Sequence, residues 1–236
     1  MLAQEKLAGK ALELTMRDGR KMGAELFAKP GMVAPGIVMV PAVFGIDEEA
    51  RTIARTYAED GFPVLALDFF FRIHPGPLAR EGEGREKAMA RYAAFDVEQG
   101  VTDLADAVAI FKRMPECSGK VAVFGYCFGG RYAYRAASDN IADAGCAFHG
   151  TKIGLDIAQA GNCRTPLQLH FGGADPQVPM EEVERVQAAL AGNPRVEISV
   201  YPGAAHGFTG KGRPSYHEAA DTGSRAAGLR LLRSLR

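Results

Sequence analysis

The sequence of 236 residues predicts an α/β fold in which a mostly parallel central sheet is covered by helices on both faces. Continuous apolar runs of four or five residues recur along the chain, as in strands that are buried on both faces of a parallel sheet. Helix-like stretches separate these runs. The chain shows no internal repeat, low-complexity tract or linker, so residues 1–236 are expected to form a single domain.

The expected elements follow in order from the N-terminus. Residues 12–16 and 22–26 alternate in polarity around the turn 17–20, a pattern that predicts a β-hairpin. Buried strands are expected at the continuous apolar runs 37–40, 64–67, 121–124 and 167–171. A strand nearer the edge of the sheet is expected at 196–200, where apolar and polar residues alternate more. Helices are expected near 48–59, 97–113, 130–138, 181–191 and 216–235. The Gly- and Pro-rich stretch 74–86 is expected to form a long surface loop.

Composition and charge exclude several classes of partner. Twenty-eight basic and 28 acidic residues balance to zero, so neither nucleic acid nor an anionic membrane surface is an expected partner. No apolar run reaches the roughly 18 residues of a membrane span, and the N-terminus lacks a signal-peptide core. The four cysteines lie far apart, so no disulfide framework, metal site or cofactor is expected. We therefore expect a cytoplasmic protein that acts on a small molecule.

Cys127 has the sequence context that most strongly indicates chemistry. It lies in a Gly-x-Cys-x-Gly pattern between the apolar run 121–124 and a stretch able to form a helix. This strand–turn–helix pattern is typical of the nucleophile elbow of the α/β-hydrolase fold, with a thiol in place of the usual serine hydroxyl. Such a turn needs very small neighbours, here Gly125 and Gly129. The N-terminus of the following helix favours a thiolate through its dipole and free N–H groups.

An acid and a histidine follow two later strands. Asp175 comes after the run 167–171, and His206 comes after the run 196–200. Because ligands of such a sheet meet the chain at the carboxyl ends of the strands, we expect both side chains to converge on Cys127. The chain order of nucleophile, acid and histidine is that of α/β-hydrolases. We expect His206 to take the thiol proton and Asp175 to orient the imidazole.

Two backbone N–H groups are expected to form an oxyanion hole, which stabilises the negative oxygen of a tetrahedral intermediate. One belongs to Phe128, directly after the nucleophile, and the other to Val43, in the loop after the run 37–40. His170 lies inside an apolar strand and is interpreted as a core residue. His149 and His217 have no supporting pattern.

These motifs together resemble the dienelactone hydrolase family (carboxymethylenebutenolidases). The matching stretches are 68–76, 94–104, 125–130, 172–179 and 205–208, and the resemblance runs from about residue 12 to about residue 230. It implies an α/β-hydrolase fold with a Cys-His-Asp triad. It also implies hydrolysis of a carboxylate-bearing enol-lactone to maleylacetate.

The resemblance further implies residues that bind the substrate. Arg72 matches a family arginine that binds the substrate carboxylate, a task that suits the bidentate fork of a guanidinium. A second family arginine falls at Gly210, where the neighbouring Lys211 is expected to supply the charge. A family glutamate that engages the resting thiol falls at Ala42. Without that carboxylate, we expect Cys127 to pair directly with the histidine as a standing thiolate.

Three functions stay open on the sequence alone. The first is a cysteine-dependent hydrolase of a lactone or activated ester, acting through a thioacyl-enzyme on dienelactone or, as a broad-specificity carboxylesterase, on several small esters. The second is a non-hydrolytic ligand-binding protein on the same fold. The third is a redox-active thiol protein, which needs a resolving cysteine that is not found near Cys127 in sequence.

Overall fold

The computed structural model describes residues 7–236, in which eight strands pair in one sheet of order β1-β2-β4-β3-β5-β6-β7-β8. The strands are β1 Lys10–Thr15, β2 Lys21–Phe27, β3 Ala34–Val40, β4 Val64–Leu67, β5 Cys117–Tyr126, β6 Ala144–Phe148, β7 Leu167–Gly172 and β8 Val196–Tyr201. β1 and β2 form an antiparallel hairpin, and β2 pairs antiparallel with β4. All the remaining pairings, from β4 to β8, are parallel. The predicted mostly parallel sheet is confirmed.

Helices cover both faces of this sheet, as expected. They are α1 Glu48–Glu59, α2 Gly82–Ala93, α3 Val97–Phe111, α4 Phe128–Ser138, α5 Met180–Leu190 and α6 Glu218–Arg233, with short 3-10 turns at Ile153–Leu155 and Ile157–Asn162. Apolar side chains of α1 and α6 pack on one face of the sheet. Those of α3, α4 and α5 pack on the other. No helix within residues 7–236 has both the length and the apolar character that crossing a bilayer requires.

Two elements differ from the sequence-based expectation. β6 has the sequence Ala-Gly-Cys-Ala-Phe, in which only Phe148 is a strong strand former, so its strand character comes from burial between β5 and β7. α2 begins inside the stretch 74–86 that was expected to be a loop and continues to Ala93, where no helix was expected. It begins at Gly82, a poor helix former, and no side chain caps its first turn.

The parallel strands bring several loops to one edge of the sheet. In register, Val40 of β3 pairs with Gly125 of β5, and Tyr126 of β5 pairs with Phe148 of β6. The chain leaves β3, β5, β6, β7 and β8 at their carboxyl ends on this edge. The residues that follow these strands therefore form a common site.

Candidate active site

Cys127 occupies a strained turn between β5 and α4. Its φ of 54° and ψ of −114° lie in a region that L-residues rarely adopt, and such a backbone costs on the order of 1–3 kcal/mol. A Cβ atom on Gly125 would collide with the backbone of Gly129, and one on Gly129 would collide with the carbonyl of Val40. The Cys127 N–H donates to the Phe148 carbonyl at 3.0 Å. These contacts hold the turn and direct the thiol away from the strand.

The half-buried His206 and the buried Asp175 form a pair beside this turn. Nδ1 of His206 lies 2.8 Å from Oδ2 of Asp175, and the second Asp175 oxygen accepts the N–H of Gln177 at 2.8 Å. The loops after β7 and β8 are tied together by the Ala174 N–H, which donates to the Ala204 carbonyl at 3.0 Å. The acid and the imidazole are therefore held by backbone as well as by their own contact.

The charges around His206 favour its protonated form. Burial opposes a charged imidazole, but the contacts with Asp175 and Cys127 together outweigh it and raise the pKa of His206 to about 9. Nε2 is buried and has no hydrogen-bond partner of good geometry within residues 7–236. This nitrogen is thus left for the sulfur of Cys127 and for an incoming substrate.

The two predicted oxyanion donors belong to segments that adjoin Cys127, one in sequence and the other across the cavity. Phe128 is the first residue of α4, so its N–H has no partner inside the helix. Val43 lies in the loop after β3 and lines the same cavity as Cys127 and His206. The structure therefore brings together Cys127, His206, Asp175 and both of the predicted backbone positions.

A cavity of about 310 Å³ opens above the thiol. Its wall combines loop residues after β3, the first turns of α1, the start of α2 and the loop after β8. The residues that line it include Ala42, Val43, Phe44, Glu49, Arg80, Arg85, Met89, His149 and Arg213. The size suits a small lactone or ester rather than a polymer.

Three arginines lie on this wall, and they differ in what already binds them. Arg80 is bound by Asp47 at 2.7 Å and Glu49 at 3.4 Å. Arg213 also approaches Glu49, at 3.4 Å. Arg85 is exposed and makes no ion pair within residues 7–236. Of the three, Arg85 is therefore the arginine whose guanidinium is not held by a carboxylate in this part of the chain.

The two substrate-binding residues expected from the resemblance lie elsewhere. Arg72 is absent from the cavity wall. Its guanidinium is occupied by Asp103, through contacts of 2.7 and 2.6 Å, and by Asp18 at 2.7 Å. Lys211 lines a neighbouring cavity of about 230 Å³ between α1 and α6, with Nζ 3.9 Å from Asp221. Neither cation is placed to meet a substrate at Cys127.

The Arg213 side chain packs closely over Gly210. A Cβ atom on Gly210 would lie 2.7 Å from Cδ of Arg213 and 3.0 Å from Oε2 of Glu49. The Arg213 side chain thus passes over Gly210 to reach the cavity. The positive charge near this position comes from Arg213, three residues further along the chain, and not from Lys211.

His149 is a cavity residue that the sequence interpretation missed. It is buried, has a φ of 42°, and packs edge-to-face on His206 with ring centroids 4.9 Å apart. Its Nε2 lies 3.1 Å from Oγ1 of Thr209. Burial, followed by the nearby charges of His206 and Arg213, lowers the pKa of His149 well below its usual range, so the ring is neutral. His149 directly follows β6, so a predicted strand there would have placed it at the carboxyl edge of the sheet. The weak strand pattern of β6 prevented that prediction.

Comparison with known proteins agrees with this architecture. The model of the dienelactone hydrolase family matches residues 22–235. Carboxymethylenebutenolidase 1 of Cupriavidus pinatubonensis is 30% identical over 227 residues, which cover 95% of this chain and 97% of the relative.

Two solved structures have the same fold. One is a candidate dienelactone hydrolase from Klebsiella pneumoniae, with a TM-score of 0.81 and 25% identity over 95% of this chain and 98% of the other. The second is a dienelactone hydrolase-like promiscuous phosphotriesterase from metagenomic libraries, with a TM-score of 0.77 and 25% identity over 97% and 99% of the two chains.

The sheet order, the strand–elbow–helix turn and these structural neighbours define an α/β-hydrolase. Within that class, the chain belongs to the dienelactone hydrolase family, whose members hydrolyse ester bonds.

Proposed function

We propose that the protein is a cysteine-dependent hydrolase of lactones or activated esters that acts through a thioacyl-enzyme. One observation carries the proposal. Cys127, on its strained elbow, shares a cavity with His206, and the imidazole is held at 2.8 Å by the buried Asp175. This arrangement provides a nucleophile, a proton carrier and an orienting carboxylate.

The proposed reaction has two halves. The Cys127 thiolate attacks the substrate carbonyl carbon, and the resulting oxyanion accepts hydrogen bonds from the N–H groups of Val43 and Phe128. The carbonyl re-forms, the C–O bond breaks, and protonated His206 gives its proton to the leaving oxygen. Water then attacks the thioester while His206 takes its proton. The thiolate leaves and the free acid is released.

The cavity supports a substrate with a good leaving group and a carboxylate. In the tetrahedral intermediate a thiolate is itself a good leaving group and is expelled in preference to a poor one, so enol-lactones and aryl esters suit this nucleophile better than amides. Arg85 offers an unpaired guanidinium on the wall. The relatives named carboxymethylenebutenolidase act on such an enol-lactone by name. We therefore propose a dienelactone or a related carboxylate-bearing lactone as substrate.

Ala42 distinguishes how this thiol is held at rest. The side chain lines the cavity and has no carboxylate with which to bind the sulfur. The sulfur is therefore left to His206, whose imidazole has a pKa raised to about 9 and is protonated at neutral pH. We propose that Cys127 is a standing thiolate.

The substrate proposal is tested by kcat/KM for a dienelactone, a simple lactone and an aryl ester. Arg85→Ala is expected to reduce kcat/KM for the dienelactone by about 10- to 100-fold, because a charged hydrogen bond contributes about 1.5–3 kcal/mol. The two neutral substrates are expected to change little. Arg72→Ala, whose partners are Asp18 and Asp103, serves as the matched control and should leave the preference among substrates unchanged. An equal loss on all three substrates with Arg85→Ala would refute the assigned role of this arginine.

A further inference from the structure

Arg91, on α2, is a buried arginine with an unusual set of partners. Only 2% of the residue is exposed. Its Nε and Nη2 donate to the Val43 carbonyl at 3.0 and 2.6 Å, and its Nη1 donates to the carbonyls of His74 and Gly76 at 2.8 and 2.9 Å. The guanidinium also stacks on Phe70, 4.4 Å from the ring centroid. Every contact of the head group is thus to backbone or to an aromatic ring.

No carboxylate forms an ion pair with Arg91 within residues 7–236. The nearest compensation comes from Asp68, whose Oδ2 accepts the Gly76 N–H at 2.7 Å and whose charge acts on Arg91 through space. Gly76 is therefore held on both sides, by Asp68 at its N–H and by Arg91 at its carbonyl. Burying a cation on neutral carbonyls is costly. General packing alone therefore does not account for a guanidinium at this position.

Arg91 contacts the turn that presents the Val43 N–H to the cavity. The Ala42 carbonyl, which shares a peptide plane with this N–H, accepts the Gly45 N–H at 3.0 Å. The next peptide is fixed by Arg91 through the Val43 carbonyl. Gly45 has a φ of +75°, and a Cβ atom there would lie 3.2 Å from Nη2 of Arg91. Both peptides that flank Val43 are thus held, one directly by Arg91 and the other by a turn that packs against Arg91.

We propose that Arg91 is a positioning residue for the oxyanion hole: its guanidinium fork fixes the Val43 peptide against the 74–76 segment and so aims the Val43 N–H at the substrate oxygen. The inference rests on the proposed function, because it concerns attack by Cys127 on a carbonyl. A fork is required because two donors converge on one carbonyl while a third nitrogen reaches two more. A lysine ammonium keeps the charge but cannot make this set of contacts.

The test separates oxyanion stabilisation from reactivity of the thiol. Acylation of Cys127 by p-nitrophenyl acetate builds an oxyanion, whereas alkylation by iodoacetamide displaces iodide and builds none. Both rates are measured in the wild type, Arg91→Lys and Arg91→Met, with melting curves for each. Acylation is expected to slow about 10-fold in Arg91→Lys and about 100-fold in Arg91→Met, the latter approaching the loss of a whole oxyanion donor. Alkylation is expected to stay within about twofold of wild type.

Arg51→Met is the matched control, because Arg51 is paired with Glu25 away from the thiol. It should change neither rate. If Arg91→Met does not fold, Arg91→Lys decides. Wild-type acylation in Arg91→Lys, or parallel losses of acylation and alkylation, would overturn the inference. Absence of any acylation in a wild type that still alkylates at Cys127 would overturn the proposed function, and this inference with it.

Discussion

At the scale of single residues, the protonation of His206 decides how the site works. Burial opposes the charged imidazole, but the contacts with Asp175 and Cys127 outweigh it and raise the pKa of His206 to about 9. The second imidazole, His149, is kept neutral although the two rings are in edge-to-face contact. The cavity therefore holds one charged and one neutral histidine. Only the charged one is paired with an acid.

This state predicts the alkaline limb of the pH profile. With a simple lactone, whose leaving oxygen needs a proton, kcat/KM is expected to fall as the pH rises through about 9, because the imidazolium of His206 loses its proton there. Asp175→Asn removes one cause of the raised pKa and should move this fall to lower pH, together with a lower maximum. The profile is measured after subtraction of spontaneous hydrolysis. An unchanged alkaline limb in Asp175→Asn would contradict the assignment.

The titration of His206 also determines the direction in which the free energy of unfolding changes with pH. The unfolded histidine has a pKa of about 6.5, so between this value and about 9 the folded protein holds a proton that the unfolded chain has lost. The contribution of His206 to the free energy of unfolding is therefore complete below about pH 6.5 and is lost as the pH rises through about 9. Because the thiol of an unfolded cysteine titrates near pH 8.5, the decline is measured by urea unfolding in the Cys127→Ala background, where the Asp175 contact still favours the charged imidazole. His206→Asn in the same background should remove it.

The positions of some site residues could be predicted from the sequence, and those of others could not. Cys127, Asp175 and His206 each follow a strand with a clear apolar pattern, so their position at one edge could be predicted, while their catalytic roles stay predictions. Arg72 could not be placed, because its partners Asp18 and Asp103 lie 54 and 31 residues away in sequence. A long arginine side chain reaches whichever carboxylate folding brings near, and local pattern does not encode that choice.

At the scale of elements, the elbow depends on close approach between β3, β5 and α4. Gly129 packs with its Cα against the Val40 carbonyl, and Gly125 packs against the backbone of the first turn of α4. Backbone atoms form the opposing surface at both positions. Because a backbone carbonyl cannot rotate away as a side chain can, no space exists for a methyl group.

Gly129→Ala is expected to destabilise the fold. The added Cβ forces α4 away from β3, and we expect a loss of at least about 2 kcal/mol in the free energy of unfolding, with activity lost in parallel. Gly161→Ala is the matched control, because a Cβ atom there meets nothing within 4 Å and the backbone φ is not positive. Urea unfolding compares the two variants. Equal stability of both would show that the elbow tolerates a larger residue.

The two elements that were not predicted from the sequence were missed for the same physical reason. β6 and the start of α2 consist of residues with weak intrinsic preferences, such as Gly145 and Gly82, and their conformation is imposed by neighbours. β6 is completed by pairing on both sides, and α2 by the buried contacts of Ala88 and Arg91. The stronger patterns of β3, β5 and β7 were sufficient to predict the fold class without them.

At the scale of the whole molecule, one sheet with two covered faces places all the candidate chemistry at a single edge. Because the eight strands belong to one sheet, the architecture supports the prediction of a single domain. The net charge of zero is compatible with a cavity whose wall carries three arginines, since two of them are offset by Asp47 and Glu49. Bulk charge excluded nucleic acid as an expected partner, but local charge favours a small anionic substrate.

The central claim is that Cys127 forms a thioester with the substrate acyl group. The most direct measurement mixes the protein rapidly with p-nitrophenyl acetate and follows nitrophenolate release, with mass analysis of the quenched protein. The account predicts a burst of about one equivalent in the wild type, an acetyl group on Cys127, and neither in Cys127→Ala, whose kcat/KM falls by at least about 1,000-fold. Hydrolysis by Cys127→Ala at the wild-type rate, without an acyl adduct in the wild type, would contradict it.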